Sequence, residues 1–220
     1  MRVACQELCW LLDRGYADKS ALELVGNRHQ LVSRQREALY RVCTPIQLIE
    51  RSRSLRVTQA EELWIDGFNV LVTIEAALSG APIFETRLGV MRDLASVHGS
   101  YRKIAETEQA IDLIHSVLPE LGVQRVTWLL DRPVGNSGRL AALLRERLGS
   151  LQDSFASEVQ VLDDVDGALR GGQGCVVASA DRYVLDGAER WLDLAGLVTE
   201  RKVPSAWRVE LFAGPRSRPG

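Results

Sequence analysis

From Leu63 onward the chain alternates short apolar runs with amphipathic stretches, and this alternation constrains its fold more than any other feature. "ELWIDGFNVLV" reads as a first strand and the loop leaving it, and "RVTWLLD" as a second strand. "EVQVLDD" reads as a third, and "CVVASADRYVLDGAERWLDLA" as a fourth strand running into a helix. Between them, "YRKIAETEQAIDLIHSVLPEL" carries Ile104, Ala110, Ile111, Ile114, Val117 and Leu118 on one helical stripe and stops at Gly122. "SGRLAALLRERLG" is a second helix, with Asn136 or Ser137 as its cap and Gly149 as its stop. Strand and helix in turn at this spacing imply βαβ units and a mostly parallel sheet. The segment from Ala76 to Ser100, with Gly80, Pro82, Gly89 and Gly99, reads as a helix followed by a long irregular excursion.

Upstream of this body the pattern is helical. Leu8, Leu11 and Leu12 share a face ahead of Gly15; "DKSALELVGN" restarts with Ser20 as cap; "SRQREALYRVCTP" gives a third helix capped by Ser33 and closed before Pro45. "RSRSLRV" is then a basic linker or an early strand. The reading divides the chain into a helical module at 1–56, an α/β body at 57–205 and a C-terminal tail at 206–220, of which "GPRSRPG" is basic and disordered.

Residues 1–56 hold ten basic side chains against six acids, a balance of +4, so the formal net charge of −2 leaves −6 for the remainder. A basic helical segment suits phosphates and an acidic body suits cations. No apolar stretch approaches the roughly 20 residues of a membrane helix, and no basic-then-apolar signal follows Met1, so the expectation is a cytoplasmic protein with no membrane partner. Cys5, Cys9, Cys43 and Cys175 form no CxxC or Cys/His pairing and read as reduced core thiols in preference to a zinc site. His29, His98 and His115 have no ligand spacing.

The strand ends are acidic. Asp66 closes the first strand, Asp131 the second, Asp163 and Asp164 the third, and Asp181 the fourth. In open parallel sheets ligands gather beyond the carboxyl ends of the strands. Carboxylates about 4 Å apart repel by roughly 4 kcal/mol even at an effective dielectric of about 20, so a converging set needs protons or cations. Oxygen ligands of this kind suit Mg²⁺ or Mn²⁺. Each aspartate also has a structural reading as a strand terminator or helix cap. Gly67 would give a ligand close access to the backbone and Asn69 would orient a carboxylate or contact phosphate. Asp163, Asp164 and Asp166 read as a solvated acidic loop. In "DRPVGNSGRL", Asn136, Ser137, Arg132 and Arg139 surround a helix N-terminus that could take a substrate phosphate. Arg28, Arg34 and Arg36 could follow a nucleic-acid backbone.

"WIDGFNV" resembles the opening of NYN and PIN ribonuclease domains, where a strand delivers an essential Asp, and "VVASADRYVLD" resembles their later strand. The span from about 60 to 200 is similar to an uncharacterised family of PIN-like domains, and "GNRHQLVSRQREAL" resembles the helical domain of unknown function that precedes them. The resemblance implies a Rossmann-like three-layer fold and Mg²⁺- or Mn²⁺-dependent hydrolysis of RNA phosphodiesters. It makes Asp66 and Asp181 metal ligands, Asp186 a metal-binding partner, and Asp131 and Glu75 assisting acids. The middle acid stays open among Glu75, Asp93 and Asp112. So do two other readings, RNA binding without turnover and hydrolysis of a small phosphate ester, and a homodimer is compatible with each.

Overall fold

In a computed structural model, which describes residues 1–95, 101–151 and 155–212, five strands form a wholly parallel sheet. They are β1 (Glu62–Asp66), β4 (Arg125–Asp131), β5 (Ala156–Leu162), β6 (Val176–Ala178) and β7 (Trp191–Leu192), ordered β5-β4-β1-β6-β7. Alternate residues serve two cores. Leu63, Ile65, Val126, Trp128, Leu130, Val176 and Ala178 pack with α5 (Gly67–Leu78), α6 (Thr107–Val117), α7 (Ser137–Ser150) and α10 (Leu194–Lys202). Trp64, Leu129, Val177 and Trp191 pack with α4 (Ile46–Arg53), α8 (Val165–Gly171) and α9 (Arg182–Gly187). Burial on both faces explains why the strands read as continuous apolar runs instead of alternating ones.

The chain walks outward from β1 to β4 and β5, then returns to lay β6 on the opposite side of β1. Strand order therefore reverses between β1 and β6, and the crevice beyond their carboxyl ends is where such sheets bind ligands.

Three features depart from the sequence reading. The expected loop after Ile65 is already helix: Asp66 caps α5 by accepting from the Asn69 N–H. A Cβ on Gly67 would lie 2.5 Å from Leu130 Cδ2 and 2.9 Å from the Leu129 carbonyl oxygen. The glycine thus serves helix-to-strand packing in place of the ligand access expected of it. Second, the excursion after α5 contains β2 (Ile83–Glu85) and β3 (Met91–Arg92), which join β8 (Arg208–Glu210) in a second sheet ordered β3-β2-β8. Gly89, at φ +83°, makes the turn between β2 and β3. Strands this short show no period, and β8 lies in the stretch read as tail; "GPRSRPG" itself falls outside the described residues. Third, the final "strand into helix" is resolved into β6, α9, β7 and α10.

The N-terminal module comprises α1 (Arg2–Leu12), α2 (Asp18–Arg28), α3 (Ser33–Val42) and α4, the last occupying part of the expected linker. Leu8, Leu12, Val25, Leu39 and Val42 share one core with Phe84, Leu94 and Leu211, so the module packs on the small sheet. Arg87 pairs with Asp13 across this joint at 2.6 Å. Arg182, only 7% exposed, donates to the Cys43 carbonyl and to Asp18. Among the described residues no helix is long and apolar enough to cross a membrane.

Candidate active site

Beyond the carboxyl ends of β1, β4 and β6 lies a cavity of about 390 Å³ lined by the carboxylates of Asp66, Asp93, Asp131, Asp166 and Asp181, together with Asn69. Each acid arrives by a different route. Asp66, Asp131 and Asp181 follow or end the neighbouring strands β1, β4 and β6, Asp166 lies in the first turn of α8, and Asp93 directly follows β3. Asp66 and Asp181 also cap the helices that succeed them, so their structural and site readings coexist.

Hydrogen bonds across the β1–β6 crevice fix the two capping acids relative to each other. The Ser179 hydroxyl donates to Asp66 Oδ2 at 2.8 Å and accepts from the Asp181 N–H at 3.0 Å. Asn69 Oδ1 accepts from the Ala180 N–H at 3.0 Å, so Asn69 positions the turn that carries Asp181. On the far wall, Thr73 donates to Asp93 Oδ1 at 3.1 Å.

Two arginines enter the same cavity. Arg92 reaches Asp181 Oδ2 at 3.2 Å and the Ala180 carbonyl at 3.0 Å. Arg41 comes from α3 of the N-terminal module, donates to the carbonyls of Asp93 and Ala95 at 3.1 and 3.2 Å, and lies 3.7 Å from Asp93 Oδ2. The helical module therefore supplies part of the cavity wall.

The electrostatics are those of crowded, half-dry carboxylates. Burial pushes Asp66 up to about 7; the Ser179 hydroxyl opposes the rise, and the charges of Asp131 and Asp166 add to it. Burial raises Asp131, helped by Asp166, and raises Asp166, helped by Asp181. Asp93 is also raised by burial, against the pull of Arg41 and Arg92. Among the described residues no three of these carboxylates bring oxygens within 4.8 Å of one another. The cavity is thus a ring of acids, wider than a closed cage. That donor set fits Mg²⁺ or Mn²⁺, which keep several waters and take one or two protein carboxylates plus substrate phosphates.

Several residues singled out in the sequence do not line this cavity. Glu75 is buried under α6, accepting from Thr107 Oγ1 at 2.5 Å and from the Tyr101 hydroxyl. Of the three candidates for middle acid, Asp93 lines the cavity, whereas Asp112 pairs with Arg147 at 2.7 Å. Asp186, five positions past Asp181, is held by Arg51. Arg132 pairs with Asp163 at 2.8 Å, Asn136 donates to the Tyr101 carbonyl, Ser137 donates to the Arg132 carbonyl, and Arg139 is exposed. In the module, Arg28 pairs with Glu7 and Arg36 holds Asn27 and the Leu31 carbonyl, while Arg34 is exposed. Sequence reasoning missed Arg41, Arg92, Ser179 and the placement of Asp166. Asp164 caps α8 through the Gly167 N–H, and the turn it starts aims Asp166 inward; "DDVDG" held that signal.

Residues 55–197 match the family described as a domain of unknown function, DUF5616. The chain belongs to that family. Ahead of its DUF5616 region, residues 1–54 match a second family, the protein of unknown function DUF434, and the boundary falls between α4 and β1. The DUF5616 chain is similar to an uncharacterised protein of Methanocaldococcus jannaschii, 30% identical over 186 residues, which cover 83% of this chain and 87% of that one. No solved structure matches.

Proposed function

We propose that this chain is a PIN-like ribonuclease of the cytoplasm that hydrolyses RNA phosphodiesters with Mg²⁺ or Mn²⁺. The observation that carries the reading is the gathering of Asp66, Asp131 and Asp181 on one cavity at the point where strand order reverses. Asp66 and Asp181 would hold the ion, with Asp131 and Asp166 adding negative charge around it. When bound, it supplies a Lewis acid and lowers the pKa of a coordinated water.

The chain's own residues prepare that chemistry. Ser179 and Asn69 set the spacing of Asp66 and Asp181, and Thr73 aims Asp93. Arg92 and Arg41 place positive charge at the cavity wall, where a substrate phosphate could replace a carboxylate as partner. Arg28 on α2 and Arg34 on α3 are the exposed members of the basic set for contact with the RNA backbone beyond the site.

Purified protein should cleave single-stranded RNA with Mn²⁺ and lose cleavage on Asp66→Asn and on Asp181→Asn, with the fold retained by circular dichroism. Cleavage unchanged in both variants would remove the site from the reaction. A second reading is favoured by the Arg92–Asp181 pair, which already neutralises one of the acids. It is RNA binding without turnover, and it predicts salt-dependent retention of RNA with no Mn²⁺-dependent cleavage.

A further inference from the structure

Away from the acidic cavity, the core of the N-terminal module holds three thiols. Cys5 and Cys9 lie one turn apart on α1, and Cys43 is the residue at which α3 ends. Their exposures are 0%, 5% and 0%, and all three sulfurs lie within 4.8 Å of one another, with Cys5 and Cys43 at 3.5 Å. The sequence reads these as reduced core thiols in preference to a zinc site and does not place Cys43 with the other two, because Cys43 is brought to them only by the packing of α3 on α1.

The spacing is that of a coordination sphere. Sulfurs bound at about 2.3 Å to one tetrahedral ion stand roughly 3.8 Å apart. These thiols come from two helices and already fall in that range, so an ion would require only small side-chain rotations. Charge is provided for as well. Arg87 lies close enough for its charge to interact with Cys9 and Cys43, and it is anchored by Asp13 and by the Thr44 carbonyl. A dication offsets two of the three thiolate charges, and the Arg87 guanidinium, shared with Asp13, faces the remainder. Soft sulfur ligands select Zn²⁺ or Cu⁺ over hard cations such as Mg²⁺.

The module also has a use for such an ion. Its helices α1, α2 and α3 are 10 or 11 residues long, and small helical units commonly need a metal or a disulfide to supplement a limited core. We propose that Cys5, Cys9 and Cys43 form a binding site for a single thiophilic d¹⁰ cation, Zn²⁺ or Cu⁺, that clamps the end of α3 to α1. The Cys43 carbonyl accepts from Arg182, the residue after Asp181, so the clamp stands directly behind one wall of the acidic cavity. The proposal is independent of any activity at that cavity.

The test uses full-length protein prepared anaerobically with a reductant, stripped of metal and titrated with Co²⁺, then Zn²⁺, and separately with Cu⁺ against a chromogenic competitor. A near-ultraviolet thiolate-to-cobalt charge-transfer band is expected, saturating at one equivalent and bleached by Zn²⁺, or else one equivalent of Cu⁺ retained. Occupancy should also raise the thermal midpoint by several degrees. Cys43→Ser and Cys9→Ser should abolish the band, and Cys175→Ser should leave it intact. If the serine variants fail to fold, the wild-type titration decides alone. Absence of the band together with no Cu⁺ uptake overturns the proposal, as does a Cys5–Cys43 disulfide found by mass spectrometry in that preparation.

Discussion

Asp66→Asn should stabilise the metal-free protein at alkaline pH while removing the proposed activity. Asp66 is 6% exposed, and burial with the charges of Asp131 and Asp166 carries its pKa from the ordinary 3.8 to about 7. At 1.36 kcal/mol per decade, holding this carboxylate ionised in the folded chain at pH 8 costs about 4 kcal/mol relative to the unfolded chain. The direction follows from proton counting. A folded pKa above the unfolded one means that the folded chain binds more protons between the two values. The stabilising share of Asp66 is therefore complete below pH 3.8, declines as pH rises and is lost above about 7. Asparagine keeps the shape and can still accept from Ser179, but its amide N–H₂ lacks an arranged partner, a loss of about 1–2 kcal/mol. The net gain at pH 8 is about 2–3 kcal/mol, or roughly 5–10 °C in Tm for a chain of this size. Thermal unfolding in chelator at pH 8 and pH 4.5 measures it, and the advantage should shrink or vanish in acid. A variant that is no more stable at pH 8, or equally favoured at both pH values, would show that Asp66 ionises in the fold without penalty.

Arg41→Ala removes the donor to the Asp93 and Ala95 carbonyls and the charge facing Asp93, so urea unfolding should register a loss of about 2–4 kcal/mol. Arg41→Lys should recover less than half of this, because one ammonium cannot span the same acceptors. Two buried tryptophans offer an internal comparison. Trp191 Nε1 donates to the Ser52 carbonyl at 2.8 Å, while Trp128 Nε1 has no protein partner among the described residues. Trp191→Phe should therefore destabilise by about 1 kcal/mol more than Trp128→Phe in the same denaturation assay.

The parallel sheet was legible because burial on both faces leaves an unmistakable mark. "RVTWLLD" is β4 from end to end, and the stripe that includes Ala110, Ile111, Ile114 and Val117 is the buried face of α6. The small sheet was not legible. Its strands are two or three residues long, and Ile83 pairs with Arg208, a register that no local pattern can encode. The acids at strand ends could be read in advance because a parallel sheet delivers all its carboxyl ends to one edge, and Asp66, Asp131 and Asp181 do share a cavity. Glu75 misled for a local reason. It is one of the acids nearest Asp66 in sequence, yet its position on α5 turns it toward Tyr101 and Thr107. Arg41 carried no signal, since its place in the cavity depends on how a separate helical module packs against the body.

The β2–β8 pairing also has a consequence for synthesis. A ribosome making this chain delivers the β2–β3 hairpin, with Arg92 and Asp93 at its end, well before the strand that flanks it. Domains fold largely as they emerge, but β2 must wait through more than a hundred further residues for its outer neighbour. Three acids of the cavity stand on a sheet that is complete once β7 has been made, while the wall carrying Asp93 gains its last support only with β8. The cavity is consequently among the last parts of the protein to take shape, and a partly made chain displays the first acid of the set long before it owns a closed pocket.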